Sequence, residues 1–299
     1  MMPPHLNRRE FLRTTAAWVA ASAAASTSAA PARKTATDLV PLGRTGLRLS
    51  RLGMGTGSHG GRIQAELGQQ EFTRLVRYAF DRGITYFDLA RSYRTLSMIA
   101  DAIAGLPRER LFLLSKIGGK PERPSEVIDE LLKTYRTDYL DCLLVHCQVT
   151  ETWTDEQKRL MDAIDEAIEK KKVLSKGVSC HSLPALEVAA KSNWVQVNLV
   201  RINPQAQHID GPQKTVGGSG NDIRPVLEQI RIAHNHGHGV IGMKIIGNGD
   251  FKDPADREKS IRFVMSLPEV DAITIGFKST DEIDEAIDRI NRALAEVSA

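Results

Sequence analysis

Four polar residues stand at or just beyond the ends of apolar runs, and together they have the chemistry of a proton-transfer site. Asp88 lies near the end of the run 85–90, and Tyr93 follows it by five residues. Lys116 comes at the end of the run 111–117, and His146 ends the run 140–146. A phenol with its ordinary pKa of about 10 is a poor acid near neutrality. A lysine ammonium beside it favours the phenolate, and a carboxylate keeps that lysine charged and in place. A histidine in the same cluster orients a substrate oxygen or shares the proton. Together such groups protonate a carbonyl oxygen while hydride reaches its carbon. Singly, each has an ordinary reading as a loop cap, a surface aromatic, a solvated lysine and a core histidine. It is the set of four, each at a strand exit or in the loop after it, that reads as a site.

The elements that hold them repeat eight times. Short runs rich in branched residues occupy 51–55, 85–90, 111–117, 140–146, 174–180, 195–202, 239–246 and 272–277, and read as strands. Helical patterns fall between them at 69–82, 95–104, 125–135, 154–171, 183–191, 222–236, 254–267 and 280–294. The first carries Phe72, Leu75, Val76, Ala79 and Phe80 in a 3.6-residue rhythm, with Gly83 as its cap. Strands apolar on both faces belong to a parallel sheet covered by helices. Eight β/α units fit a closed barrel or an open doubly wound sheet. Gly53-Met54-Gly55-Thr56-Gly57 lacks the G-x-G-x-x-G spacing, which weakens the second option. The expected fold is an α/β protein, a (β/α)8 TIM barrel with an N-terminal β-hairpin over 40–49 turning at Gly43 to Gly46 and plugging its floor. In such a barrel, functional residues gather where the strands end.

The strings around the four residues resemble the aldo-keto reductase superfamily over almost everything after Asp38. Leu42-Gly43-Arg44-Thr45-Gly46-Leu47 and Ser50-Arg51-Leu52-Gly53-Met54-Gly55 look like its opening hairpin and first strand. Gly83 through Tyr93 looks like its second strand and catalytic loop, while Leu114-Ser115-Lys116 and Tyr139 through His146 supply the matching lysine and histidine. The resemblance implies a catalytic tetrad of Asp88, Tyr93, Lys116 and His146 in a barrel domain spanning 38–299. Tyr93 would be the general acid, its pKa lowered by Lys116; Asp88 would position the lysine and His146 the carbonyl.

The same resemblance implies NADP(H) as cofactor and a small-molecule aldehyde, ketone or sugar carbonyl as substrate. Ser179 and Gln196 match residues that hold the nicotinamide carboxamide, with Cys180 where an asparagine is usual. Met243, followed by Lys244, stands where many members have a stacking tyrosine, and its thioether still offers a soft cover for a ring. Gly276, Lys278 and Ser279 precede a helix whose N-terminus favours phosphate. Lys278 matches the residue that pairs with a 2′-phosphate, which points to NADP over NAD. Glu285 matches an adenine contact, beside Ala286 in place of an asparagine. Arg94 replaces the glycine usual after the tyrosine, and Arg91, Arg94 and Arg201 would make a basic pocket mouth for an acidic substrate.

Residues 1–32 read as an address rather than as part of the fold. Asn7-Arg8-Arg9-Glu10-Phe11-Leu12 precedes a mildly apolar run and a small-residue zone around Ala30. This resembles a twin-arginine signal peptide. It implies the twin-arginine export machinery as a partner, a periplasmic destination, and no stable membrane span after cleavage. The net charge of +3 includes three arginines and one acidic residue from this segment, so the remainder carries +1, and bulk charge gives nucleic-acid binding no support. Three cysteines without C-x-x-C spacing suggest neither a disulfide framework nor a metal site. His234, His236 and His238 alternate beside a glycine turn and read as a solvated helix end, and the glycine-rich stretch 205–221 reads as a substrate lid or a disordered loop. Two rival functions stay open: an exported barrel that binds a nucleotide or small ligand with little catalysis, and a hydrolase using Asp88 with a second carboxylate.

Overall fold

The computed structural model describes residues 33–217 and 220–297. The export signal expected at 1–32 lies outside the described residues, and the fold below is that of the unit beginning at Lys34. Two antiparallel strands come first, β1 (Leu39–Pro41) and β2 (Arg48–Ser50). Eight strands then close a barrel: β3 (Leu52–Gly55), β4 (Tyr86–Asp88), β5 (Phe112–Ile117), β6 (Cys142–Gln148), β7 (Lys176–Cys180), β8 (Val197–Arg201), β9 (Gly239–Met243) and β10 (Ala272–Gly276). Neighbours pair in chain order, all parallel, and β10 closes the ring on β3. The open-sheet alternative is thereby excluded.

Side-chain alternation decides what the barrel holds. Tyr86, Phe112, Leu114, Cys142, Leu144, Val197, Leu199, Ile241 and Ala272 form one inner cluster. Continuing the two-residue period outward brings Asp88, Lys116, His146, Ser179, Arg201, Met243 and Gly276 to the inward face at the strand exits. The opposite residues of the same strands, such as Leu113, Leu143, Val178 and Val240, pack outward against the helices in the larger core. Apolar residues on both faces are what an interior sheet between a filled lumen and a helical shell needs.

The hairpin seals the floor. Val40, Leu42 and Leu49 join the inner cluster, and the turn rests on the start of β9, where the Arg44 amide donates to the Gly237 carbonyl at 2.9 Å. Gly43, at φ 48°, has no room for a side chain, because a Cβ there would lie 2.2 Å from the Gly239 nitrogen.

The helices follow the predicted rhythm. Helix Gly68–Asp81 buries Phe72, Leu75, Val76, Ala79 and Phe80. Ser182 caps Leu183–Lys191 by accepting from the Ala185 amide at 3.2 Å, a contact worth about 1 kcal/mol. The helix expected over 154–171 is two, Trp153–Glu156 and Lys158–Glu169, because Gln157 takes a non-helical conformation between them. The strand expected to run on to 246 stops at Met243, where Lys244 turns to a positive φ of 61°.

Candidate active site

Three strands and one loop deliver the tetrad to one point. Asp88 ends β4, Lys116 lies one residue from the end of β5, His146 lies on β6, and Tyr93 sits on the loop after β4. The Lys116 ammonium is 1% exposed and donates to the Asp88 carboxylate. It also donates to the Leu89 carbonyl at 2.8 Å and reaches the Tyr93 hydroxyl at 3.3 Å. The His146 ring meets Tyr93 edge-on, with centroids 5.8 Å apart. Gly57 makes room for the phenol, since a Cβ there would lie 2.2 Å from Tyr93 Cζ.

Burial sets the protonation states. It opposes the charge on Lys116, yet the adjoining Asp88 carboxylate and the Tyr93 hydroxyl together outweigh it and hold the lysine above its ordinary pKa. Burial pushes the Tyr93 phenol up to about 12, with Lys116 pulling it down less strongly. Lys116 pulls in the expected direction, but desolvation outweighs it, and Tyr93 is a protonated donor at neutral pH. Burial, helped by Lys116 and His181, lowers His146 far below an ordinary histidine, so its ring is neutral. The cluster combines a phenol ready to give a proton, a fixed cation beside the phenolate that would remain, and a neutral imidazole.

From this cluster a cleft of about 420 Å³ runs to the exit of β10 and the helix Thr280–Val297. Its lining includes Asp88, Tyr93, Met243, Lys244, Gly276, Lys278, Glu285 and Arg289. The residues suit a dinucleotide at several points. Ser179 lies outside that lining, and its hydroxyl is wholly buried on the inward face of β7 without a hydrogen-bond partner among the described residues, an unmet demand of the kind a carboxamide satisfies. Lys278 is 64% exposed, only 3.7 Å from Glu282. Ser279 accepts from the Glu282 amide at 3.3 Å and opens the helix. Glu285 lies between Arg257 at 2.9 Å and Arg289 at 2.8 Å. Neither arginine was legible as a site residue, because each lies on an ordinary charged helix face. Lys244 donates to Asn248 at 2.7 Å and so edges the cleft.

Gln196 does not belong to this site. It is exposed and precedes β8, where its side chain accepts from the Lys176 amide at 3.2 Å. In parallel strands that is the floor end. The residue in register with Ser179 is Leu199, an inner-cluster side chain. Arg201 is likewise no rim arginine: it is 3% exposed, donates to Asp210 at 2.7 Å and to the His181 carbonyl at 2.5 Å. Arg91 and Arg94 are exposed. The stretch 205–217 is anchored rather than loose, with Ile209 and Asp210 buried and the Gly211 carbonyl accepting from the Leu183 amide at 2.7 Å. His238, expected in a solvated terminus, is buried against Asn198 at 3.0 Å. Among the described residues, no helix is long and apolar enough to cross a membrane.

Comparison with known proteins bears on this arrangement. The chain is 29% identical over 143 residues to an NAD/NADP-dependent indole-3-acetaldehyde reductase of Schizosaccharomyces pombe, covering 44% of this chain and 48% of that protein. It is also 29% identical over 143 residues to the methylglyoxal reductase DkgB of Salmonella typhi, covering 44% and 52%. The chain thus spans about half the length of these curated relatives. An aldo-keto reductase of Bacillus halodurans in its holo form superposes with a TM-score of 0.67 at 16% identity, over 88% of this chain and 96% of that one, a likeness of fold. The model of the Aldo/keto reductase family matches residues 51–297, from the first barrel strand to the last helix, and the chain belongs to that family.

Proposed function

We propose that this protein is an NADPH-dependent carbonyl reductase with Tyr93 as general acid. The observation that carries the proposal is the 3.3 Å contact between the Lys116 ammonium and the Tyr93 hydroxyl, at the inner end of a cleft that reaches Lys278. Bound NADPH supplies the hydride. The chain's own residues supply the rest. The Tyr93 phenol gives its proton to the substrate oxygen, which becomes an alcohol. The ammonium of Lys116 stabilises the phenolate until solvent restores the proton. Asp88 keeps Lys116 charged in a site that burial would otherwise neutralise. His146, neutral and beside the phenol, orients the carbonyl oxygen.

Ser179 would take the nicotinamide carboxamide and Met243 would cover the ring. Lys278, with only a loose contact to Glu282, would take the 2′-phosphate, which favours NADP over NAD. Glu285, with its arginine neighbours, would line the adenine end. Aldehydes, ketones and sugar carbonyls are the proposed substrates; the activities named for the two relatives are carbonyl reductions as well. The segment 1–32 would direct the protein through the twin-arginine machinery to the periplasm.

Titrating NADPH into the purified protein while following its tryptophan fluorescence, then adding a carbonyl panel, tests this reading. Saturable quenching followed by carbonyl-dependent NADPH oxidation supports it. Quenching without oxidation would favour a binding barrel, and neither response would remove the nicotinamide reading.

A further inference from the structure

The barrel mouth also holds a donor cluster in which two members, Cys147 and His181, have no part in the proposed hydride transfer. His146, Cys147 and His181 each offer a ligand atom, and these atoms lie within 4.8 Å of one another. Two features build the cluster. The strand β6 carries one extra residue relative to β7, since Val145 pairs with Val178 but Gln148 pairs with Cys180. Regular alternation would send His146 and Cys147 to opposite faces, whereas a β-bulge re-aims one of them. The bulge leaves Cys147 at φ 58°, in the left-handed region that non-glycine residues avoid. Such strain concentrates at functional sites.

His181 is held from behind. Its Nδ1 lies 3.5 Å from the Val216 carbonyl oxygen, and its Nε2 faces the Cys147 Sγ at 3.6 Å. A proton on Nδ1 donates to that carbonyl and leaves the Nε2 lone pair toward the sulfur. Metal-bound histidines are oriented in this way, donating the second ring N–H to a carbonyl. An ion with tetrahedral angles, a metal–nitrogen bond of about 2.05 Å and a metal–sulfur bond of about 2.3 Å would span a nitrogen–sulfur separation of about 3.6 Å. Lys116, Lys244 and Arg201 act electrostatically on Cys147 and oppose a cation, so affinity should fall below that of a closed four-ligand site.

We propose that His146, Cys147 and His181 form a three-ligand site for a divalent cation of the zinc class, with its fourth position open to the barrel mouth. Binding replaces the Cys147 S–H bond with a sulfur–metal bond and releases the proton to solvent; no electrons are transferred. His146 serves both arrangements, so a bound ion withdraws it from the substrate oxygen and inhibits reduction. That consequence rests on the reductase reading, while the metal site itself does not.

Cobalt(II) titrated into the metal-free, reduced full chain is the test. The proposal expects one equivalent bound, tetrahedral d–d bands in the visible, a thiolate-to-cobalt charge-transfer band in the near ultraviolet, and displacement by Zn²⁺. Cys147→Ser should abolish the charge-transfer band, and Cys180→Ser should keep it. His181→Gln should weaken binding by about a hundredfold or more, since loss of an outer-shell partner alone costs about 10–100-fold, and it serves if Cys147→Ser does not fold. A wild-type protein without the charge-transfer band, or an unchanged band in Cys147→Ser, overturns the site. Zn²⁺ inhibition of NADPH oxidation that is relieved by Cys147→Ser supports the shared use of His146, and undiminished oxidation at saturating Zn²⁺ overturns that part. If no carbonyl supports oxidation, the reductase reading fails while the cobalt result stands on its own.

Discussion

Replacing Lys116 by methionine separates what the lysine does for the fold from what it does for chemistry. The ammonium is 1% exposed, ion-paired with Asp88 and 3.3 Å from the Tyr93 hydroxyl. Its attraction for a phenolate at that distance is about 5 kcal/mol at an effective dielectric of about 20. That corresponds to a factor of a thousand or more in phenol acidity, within the range of about 10²–10⁴ that a positioned acid contributes to rate. The methionine also strands the Asp88 carboxylate, and breaking a buried pair in this way costs about 3–5 kcal/mol. The double variant Lys116→Met/Asp88→Asn removes the stranded charge. Urea unfolding should therefore show Lys116→Met destabilised and the double variant largely recovered. Steady-state NADPH oxidation should show kcat down by about 10²–10⁴ in both. Recovery of activity along with stability would refute the assignment, because Lys116 would then matter only as a partner for Asp88. A single variant with kcat within threefold of wild type would refute it outright.

Other residues make independent claims. Lys278→Glu should weaken NADPH binding by about tenfold or more, the loss of roughly 1.4 kcal/mol of charge pairing, and leave NADH nearly unchanged; equal effects in fluorescence titrations would take Lys278 off the 2′-phosphate. Gly57→Ala drives a methyl into the Tyr93 ring, which it would meet at 2.2 Å; a misplacement of that order should cost about 10² in kcat with NADPH affinity retained. Acid should destabilise the metal-free fold through its buried neutral histidines. Burial, then Arg201 and Lys244, lower His181 to about 3, and His146 is lowered too. The unfolded chain therefore binds more protons below its histidine pKa of about 6.5, and stability drops as pH falls through that value, by about 1.4 kcal/mol per histidine between pH 7.5 and 5.5. Urea midpoints of wild type and His181→Gln at those two pH values should differ in slope accordingly, and identical slopes would remove the histidine contribution.

The parts of the fold that were legible follow from strong, local signals. Eight runs apolar on both faces read as interior strands because a filled lumen and a helical shell both demand apolar contacts, as Leu114 inside and Leu113 outside illustrate. Asp88, Lys116 and His146 are legible because each is a polar group at the exit of an otherwise apolar run, where a barrel gathers its functional residues. What failed depended on register and backbone detail. Gln196 lies one position before β8 begins, so a shift of three residues placed it at the wrong end of the barrel, with Leu199 beside Ser179 instead. The bulge at Cys147 leaves no trace in composition, and its partner His181 comes from the next β/α unit. Arg201 looked like a surface cation because Asp210, which neutralises it, lies in a loop whose path only the fold determines. The phenol's state needed a balance between burial and Lys116 that residue spacing does not contain.

The central claim is that the Tyr93 hydroxyl supplies the proton. Single-turnover oxidation of bound NADPH by a reactive aldehyde, comparing wild type with Tyr93→Phe at matched cofactor occupancy, tests it most directly. The account predicts unchanged NADPH affinity and a chemical step slowed by about 10²–10⁴ in the phenylalanine variant. An equal rate would contradict it.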